Sequence, residues 1–173
     1  QVEQFDNQGD IQASSGVIQG QSLINSGEIA VNGGLEIVTD VVTNNNQISA
    51  SDLTMTGKYV MNDGEIISGK TTSITSDTLN NQGIMTAFNQ NINTTTLVNE
   101  GNIIGTHQNH LKSKLLENKN LIQGNMDLVI EGSYINNQGV LIGGNIINIT
   151  GDEFSNKGHT ESLGLLSVVS TKV

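Results

Sequence analysis

The sequence predicts an all-β fold, specifically a right-handed parallel β-helix (β-solenoid) of about nine coils, each of roughly 18–19 residues. Three observations predict this fold. A five-residue phrase with asparagine at its third position recurs nine times, an apolar residue nearly always follows two positions later, and the stretches between phrases alternate apolar and polar residues. A fixed short period indicates a stacked-repeat architecture, and alternation of period two indicates half-buried strands.

The repeated phrase is clearest in Leu79-Asn80-Asn81-Gln82-Gly83, and successive copies begin at a nearly constant spacing. The fifth position is glycine in seven copies and asparagine in the other two, Asn46 and Asn120. Glycine and asparagine accept a positive φ most readily, so this position predicts a left-handed corner.

The third position predicts a column of stacked amides. An asparagine side chain carries both a donor and an acceptor, so copies on neighbouring coils can bond to one another or to the turn backbone, whereas aspartates would repel. The predicted ladder consists of Asn7, Asn25, Asn44, Asn62, Asn81, Asn99, Asn118, Asn137 and Asn156.

The apolar positions predict an inner face in three parts, of which the first is the apolar residue that begins each phrase. The first apolar residue after each phrase is Ile, Met or Leu in eight copies, and Thr160 breaks the pattern in the ninth. Middle segments such as Leu35-Glu36-Ile37 and Met126-Asp127-Leu128 supply further inward residues. One unit cannot offset a backbone ordering cost of about 1–2 kcal/mol per residue, so units must stack. Parallel crossovers are overwhelmingly right-handed, and nine coils about 4.8 Å apart make a rod of roughly 40 Å.

Composition excludes several classes of protein. The 173 residues contain no cysteine and no arginine, and seven lysines against 17 acidic residues give a net charge of −10. We therefore expect neither thiolate zinc sites nor disulfides, and no nucleic-acid partner. No apolar run is long enough to span a bilayer, so we expect a shaft that is not membrane-inserted. The first residues lack a secretory signal pattern, and the absence of an initiating methionine predicts a mature or excised segment.

The pattern Leu-x-Asn-x-Gly-x-Ile, followed by a glycine at Gly105, Gly124 or Gly143, resembles the haemagglutinin repeats of filamentous haemagglutinin-like exoproteins. The similarity is strongest at residues 79–83 and 135–144 and extends from Phe5 to about Glu161. These exoproteins leave Gram-negative bacteria by two-partner secretion and include adhesins, haemolysins and toxin carriers of contact-dependent growth inhibition.

The resemblance implies a non-catalytic segment of a secreted filament on the outer surface of a Gram-negative bacterium. Such a segment gives reach and presents a binding or toxic element, and an outer-membrane two-partner transporter is its partner during export. The family's Asn-Pro export domain is not expected here, because the chain has no proline. The alternative is a segment that binds a target-cell receptor or glycan, and the third hypothesis is a carbohydrate-active β-helix enzyme.

One locally basic stretch is a candidate partner contact, formed by His107, His110, Lys112 and Lys114. We expect the two lysines to share a strand face and the two histidines to point to opposite faces. No set of residues at ligand spacing predicts a metal or cofactor, and no catalytic residue is assigned. Asp10, Glu28 and Glu65 share a column, but we expect no acidic pair on adjacent coils.

The sequence predicts two units, a repeat region over 1–161 and a terminal strand or start of a further coil over 162–173. Two outward apolar columns remain as candidate contact or packing surfaces. One contains Ile67, Ile104 and Ile142, and the other contains Ile84, Leu121 and Val140.

Overall fold

The computed structural model describes residues 2–172, which wind into one continuous parallel β-solenoid of about nine turns. The predicted boundary residues Gln1 and Val173 lie outside the described residues. The strands are β1 (Val2–Asn7), β2 (Asp10–Ala13), β3 (Gly16–Asn25), β4 (Glu28–Asn44), β5 (Gln47–Thr56), β6 (Tyr59–Asn62), β7 (Glu65–Asn81), β8 (Ile84–Asn99), β9 (Asn102–Asn118), β10 (Leu121–Gly124), β11 (Asp127–Asn137), β12 (Val140–Gly143), β13 (Ile146–Asn156), β14 (His159–Ser162) and β15 (Leu165–Lys172).

Each strand pairs in parallel with the strand one coil further along the chain. In the middle of the rod, β7, β8 and β9 each make almost a whole turn, and Leu79 pairs with Leu97, which pairs with Leu116. The same register carries the repeated phrase from one coil to the next. The predicted all-β solenoid is therefore confirmed.

The core is a set of continuous apolar columns along the rod axis. One column runs through Leu23, Val42 and Val60 and on to Phe154, and another runs through Ile29, Ile48 and Ile66 and on to Leu141. Nearly all of these side chains are completely buried. Burial of each large aliphatic side chain contributes about 1.5–3 kcal/mol, so stability grows with every added coil.

Over the first six steps from one phrase to the next, the coil length alternates between 18 and 19 residues, and the last two steps are 19 residues long. A single corner absorbs the difference. Ala50 pairs with Ser68, whereas Asp52, just past the corner, pairs with Thr71, so the separation in sequence between paired residues grows by one position. In the pairing of β7 with β8, this separation decreases by one position at the same corner, between Ser68 and Thr71. The columns on the other sides of the coil keep their register because the extra residue is accommodated in this corner.

The inner face differs from the prediction at one residue, and it extends into the last coil. Met126, predicted to point inward, is 45% exposed, and the inward pair of that segment is Leu128 and Ile130. In the last coil, Leu166 and Val168 continue two inner columns through their pairing with Ile147 and Ile149. The 162–173 segment, as far as it is described, thus continues the stacking. Residues 2–172 include no helix with the length and apolar character needed to cross a membrane.

Candidate functional site

The nine phrase asparagines form a directional hydrogen-bonded ladder along the rod. At each of the eight steps, the Nδ2 of one asparagine donates to the Oδ1 of its counterpart on the next coil, over 2.7–2.8 Å. Asn25, Asn44 and Asn62 are completely buried. The same amide nitrogens also donate to backbone on the following coil, as from Asn25 to the carbonyl of Gln47 over 2.9 Å. The ladder therefore satisfies the polar groups of a corner that water does not reach.

The glycines of the phrase have a different role from the predicted one. Among residues 2–172 no residue has a positive φ, so the prediction of a left-handed corner is wrong. A Cβ at Gly83 would instead overlap the carbonyl oxygen of Gly64 on the preceding coil, and a Cβ at Gly101 would overlap that of Gly83. Glycine is needed here because neighbouring backbones approach too closely for a side chain.

The two asparagine-bearing corners confirm this steric reason. At a glycine corner, the N–H groups of Gln82 and Gly83 both donate to the carbonyl of Asn62, over 2.8 and 2.9 Å. At Asn46 and Asn120 only the first bond of this pair forms within the described residues. The next inter-coil bonds are longer there, 3.5 Å and 3.3 Å against 2.6–3.0 Å at the glycine corners. The Cβ of asparagine pushes the coils apart at these two points.

A polar step interrupts one apolar column in the middle of the rod. Thr72, Gln90 and Asn109 pair in register and occupy the column that holds leucines in earlier coils. All three are at most 1% exposed. The Gln90 amide donates to the carbonyls of Met85 and Ile104 over 3.0 and 2.9 Å, while its Oε1 has no partner. Asn109 repeats this arrangement one coil later. The sequence could have predicted this polar step, because three consecutive repeats place polar residues at the leucine position.

Three of the four residues proposed as a partner contact lie together. His110 and Lys112 both approach Glu131 of the next coil, at 3.3 and 3.4 Å. Burial acts to raise the pKa of Glu131, but hydrogen bonds from His110 and Lys112 outweigh it and lower that pKa. Lys114 lies on the same strand, on the other side of the buried Ser113.

The fourth residue, His107, lies apart from this cluster near the preceding corner. Its ring stacks on Phe88 with centroids 4.8 Å apart, and its Nδ1 is 3.2 Å from Asn89 Oδ1. His107 is therefore one member of a stacked aromatic pair at the surface. It is not part of the candidate contact that His110, Lys112 and Lys114 form.

The two lysines flank an open groove that runs along the rod axis. The floor of this groove consists of the small residues Ser76, Thr94, Ser113 and Gly132 on successive coils, and one ridge beside it carries Thr75, Asn93, Lys112 and Glu131. The other ridge carries Thr95, Lys114 and Ser133, and the volume of the groove is about 470 Å³. We call this feature the lysine groove.

Acidic residues do not gather into a metal-binding cluster within residues 2–172. The expectation of no acidic pair on adjacent coils is wrong, because Asp10 pairs in register with Glu28. Asp10 is exposed and Glu28 is half-buried at the surface of the first two coils. Their column continues with Gln47 and Glu65.

The outward apolar columns are present but interrupted. Thr86 and Gln123 separate Ile67, Ile104 and Ile142, and Asn102 separates Ile84 from Leu121 and Val140. Most of these apolar side chains are half-buried, and Ile84 is 37% exposed.

Taken together, these features define a parallel β-solenoid with an internal asparagine ladder and, on its side, a groove lined by small, polar and charged residues. A scan against protein-family models finds no match, and searches of the curated proteins and the solved structures also find none.

Proposed function

We propose that this chain is a non-catalytic segment of a cell-surface filament. In this proposal it belongs to a secreted adhesin or a toxin carrier of contact-dependent growth inhibition, and it reaches the outer surface through a two-partner transporter. Its task is spatial: it holds a binding or toxic element at a distance from the membrane. The repeat's similarity to haemagglutinin repeats supports the choice of protein class.

The observation that carries the proposal is the unbroken asparagine ladder from Asn7 to Asn156. Every coil bonds to the next through side chains as well as through its strands. The coils cannot rotate or slip relative to one another without breaking buried hydrogen bonds, each worth about 1 kcal/mol net and more if a partner is left unpaired. A stack with this linkage has the stiffness that a spacer requires.

The constant rise that each coil adds to the rod is a second supporting argument. Each coil adds about 4.8 Å of rod, and further repeats extend the rod with the same packing. The chain carries seven lysines and no arginine, and its net charge of −10 favours solubility of a long exposed shaft.

The experiment that tests this proposal locates the chain on intact cells. Antibodies raised against the 173-residue chain should label the outside of unpermeabilised cells of the encoding organism, and mild protease treatment of those cells should remove the signal. Labelling only after permeabilisation would contradict the proposal. Small-angle scattering of the purified chain should separately give a rod profile, and turnover of acidic polysaccharides by it would contradict the non-catalytic assignment.

A further inference from the structure

We propose that the lysine groove binds a polysaccharide chain that carries isolated anionic sugars, with the carboxylate of one sugar held between Lys112 and Lys114. This proposal concerns the side of the rod and does not depend on where the rod is displayed. It is supported by the shape of the groove, its chemistry and the charges around it.

The shape of the groove suits an extended ligand. Its floor continues toward the amino terminus through Gly57, Thr39 and Gly20, which occupy the same column on earlier coils. A second depression of about 530 Å³ lies in this continuation. A shallow channel that crosses many coils can hold several linked sugar units along the rod.

The lining of the groove suits a ligand covered with hydroxyl groups. The exposed side chains of Thr75, Asn93, Thr95 and Ser133 offer hydroxyl and amide groups, and the lining contains no large apolar side chain. The lack of large apolar side chains in this lining disfavours a lipid or an amphipathic helix. Strand addition by a peptide is also disfavoured, because the backbone of β9 is already paired with β8 on one side and with β11 on the other.

The charges of the groove define one anionic subsite. Lys114 forms no ion pair with any carboxylate in the described part of the chain, so its ammonium group is free to meet a ligand. Lys112 stands on the opposite ridge, where Glu131 offsets part of its charge at 3.4 Å. His110 lies beside Lys112, also paired with Glu131. A single carboxylate between the two ammonium groups would therefore balance the positive charge that Glu131 leaves unpaired at this position.

The rest of the rod disfavours a densely charged ligand. The net charge of the chain is −10, and Asp40 lines the groove farther toward the amino terminus. A nucleic acid or a heavily sulfated chain would be repelled along most of its length. A polysaccharide in which neutral sugars separate the acidic ones experiences less of this repulsion.

The proposal is tested by calorimetric titration of the full 173-residue chain with three hexasaccharides. Hyaluronate supplies alternating carboxylates, chitin supplies neutral sugars of similar shape, and heparin supplies dense sulfate. We expect hyaluronate to bind more tightly than the other two. Lys114→Gln should weaken hyaluronate binding about tenfold, which is the loss of about 1.4 kcal/mol, whereas Lys114→Arg should retain it.

Lys157→Gln is the matched control, since Lys157 is an exposed lysine on the ladder corner of a later coil and outside the groove. The variants should keep the unfolding temperature of the parent chain. The absence of hyaluronate binding would overturn the proposal. Equal weakening by Lys114→Gln and Lys157→Gln would also overturn it, because that result would indicate non-specific attraction. Tighter binding of heparin than of hyaluronate would also reject the choice of a sparsely charged ligand.

Discussion

The side-chain amide of Asn81 donates to the side-chain carbonyl of Asn99 on the next coil over 2.8 Å, and both residues are completely buried. Asn81 in turn accepts from Asn62 over 2.7 Å and donates to the backbone carbonyl of Asn102 over 3.1 Å. One side chain thus connects three consecutive coils. The stability of the rod should depend on this position more than on its neighbour in sequence.

Replacement of Asn81 by alanine should lower the free energy of unfolding by about 3 kcal/mol, because it removes the donor to the buried Oδ1 of Asn99 and one of the two acceptors of the Asn62 amide. Asn80 is half-buried on the outward side, so Asn80→Ala should cost less than about 1 kcal/mol. Urea denaturation followed by circular dichroism would measure both values. Equal midpoints for the two variants would show that the ladder does not stabilise the fold.

Gly83→Ala should destabilise the chain by at least about 2 kcal/mol, because the new methyl group would overlap the carbonyl of Gly64 and force two coils apart. Gly9 is the matched control, since a Cβ there meets no atom within 4 Å. Thermal unfolding of Gly83→Ala and Gly9→Ala would compare them. A harmless Gly83→Ala would mean that close backbone approach is not what requires glycine.

Asn120→Gly should restore the second corner bond that glycine corners make, here from the N–H of residue 120 to the carbonyl of Asn99. The gain of about 1 kcal/mol is nearly offset by the greater backbone entropy of glycine, so stability should change little. The informative measurement is hydrogen exchange at the amide of residue 120, which should slow in the variant. Unchanged exchange would contradict the steric explanation of the asparagine corners.

Replacement of Gln90 and Asn109 together by leucine should raise the free energy of unfolding by about 1–3 kcal/mol. Each amide carries a buried oxygen without a partner, and leucine occupies the same column at Leu53 and Leu128. The exposed Gln108 provides a control, since Gln108→Leu should leave stability nearly unchanged. A lower unfolding temperature for the double variant would indicate that the amides stabilise the middle coils.

The pKa of Glu131 should make the interaction with His110 and Lys112 sensitive to acid. A carboxyl whose pKa is lowered by folding contributes stability above its ordinary pKa of 4.5, and this contribution disappears as pH falls through the lower folded value. Glu131→Gln should therefore unfold at lower urea concentration than the parent chain at neutral pH. The difference should shrink as the pH falls below 4.5 and the carboxyl becomes protonated. A difference that persists in acid would show that the ion pairs are not its source.

Much of the architecture could be predicted from the spacing of a few residue types. The nine asparagines and the apolar residues after them define the coil length and the inner columns, because stacked repeats place equivalent residues in register. The reason for glycine at the corner could not be predicted in this way. Gly83 is compatible both with a left-handed turn and with a tight approach, and only the position of Gly64 on the neighbouring coil distinguishes the two.

The amino-acid sequence by itself determined the β-solenoid, its coil length and the asparagine ladder, since these follow from local periodicity repeated along the chain. Only the tertiary structure decided the lysine groove, the partners of Glu131 and the buried step at Gln90 and Asn109. These features arise between residues on different coils, where a shift at one corner changes which side chains face each other. His110 and Glu131 are 21 residues apart in sequence and meet only because the coils stack in this register.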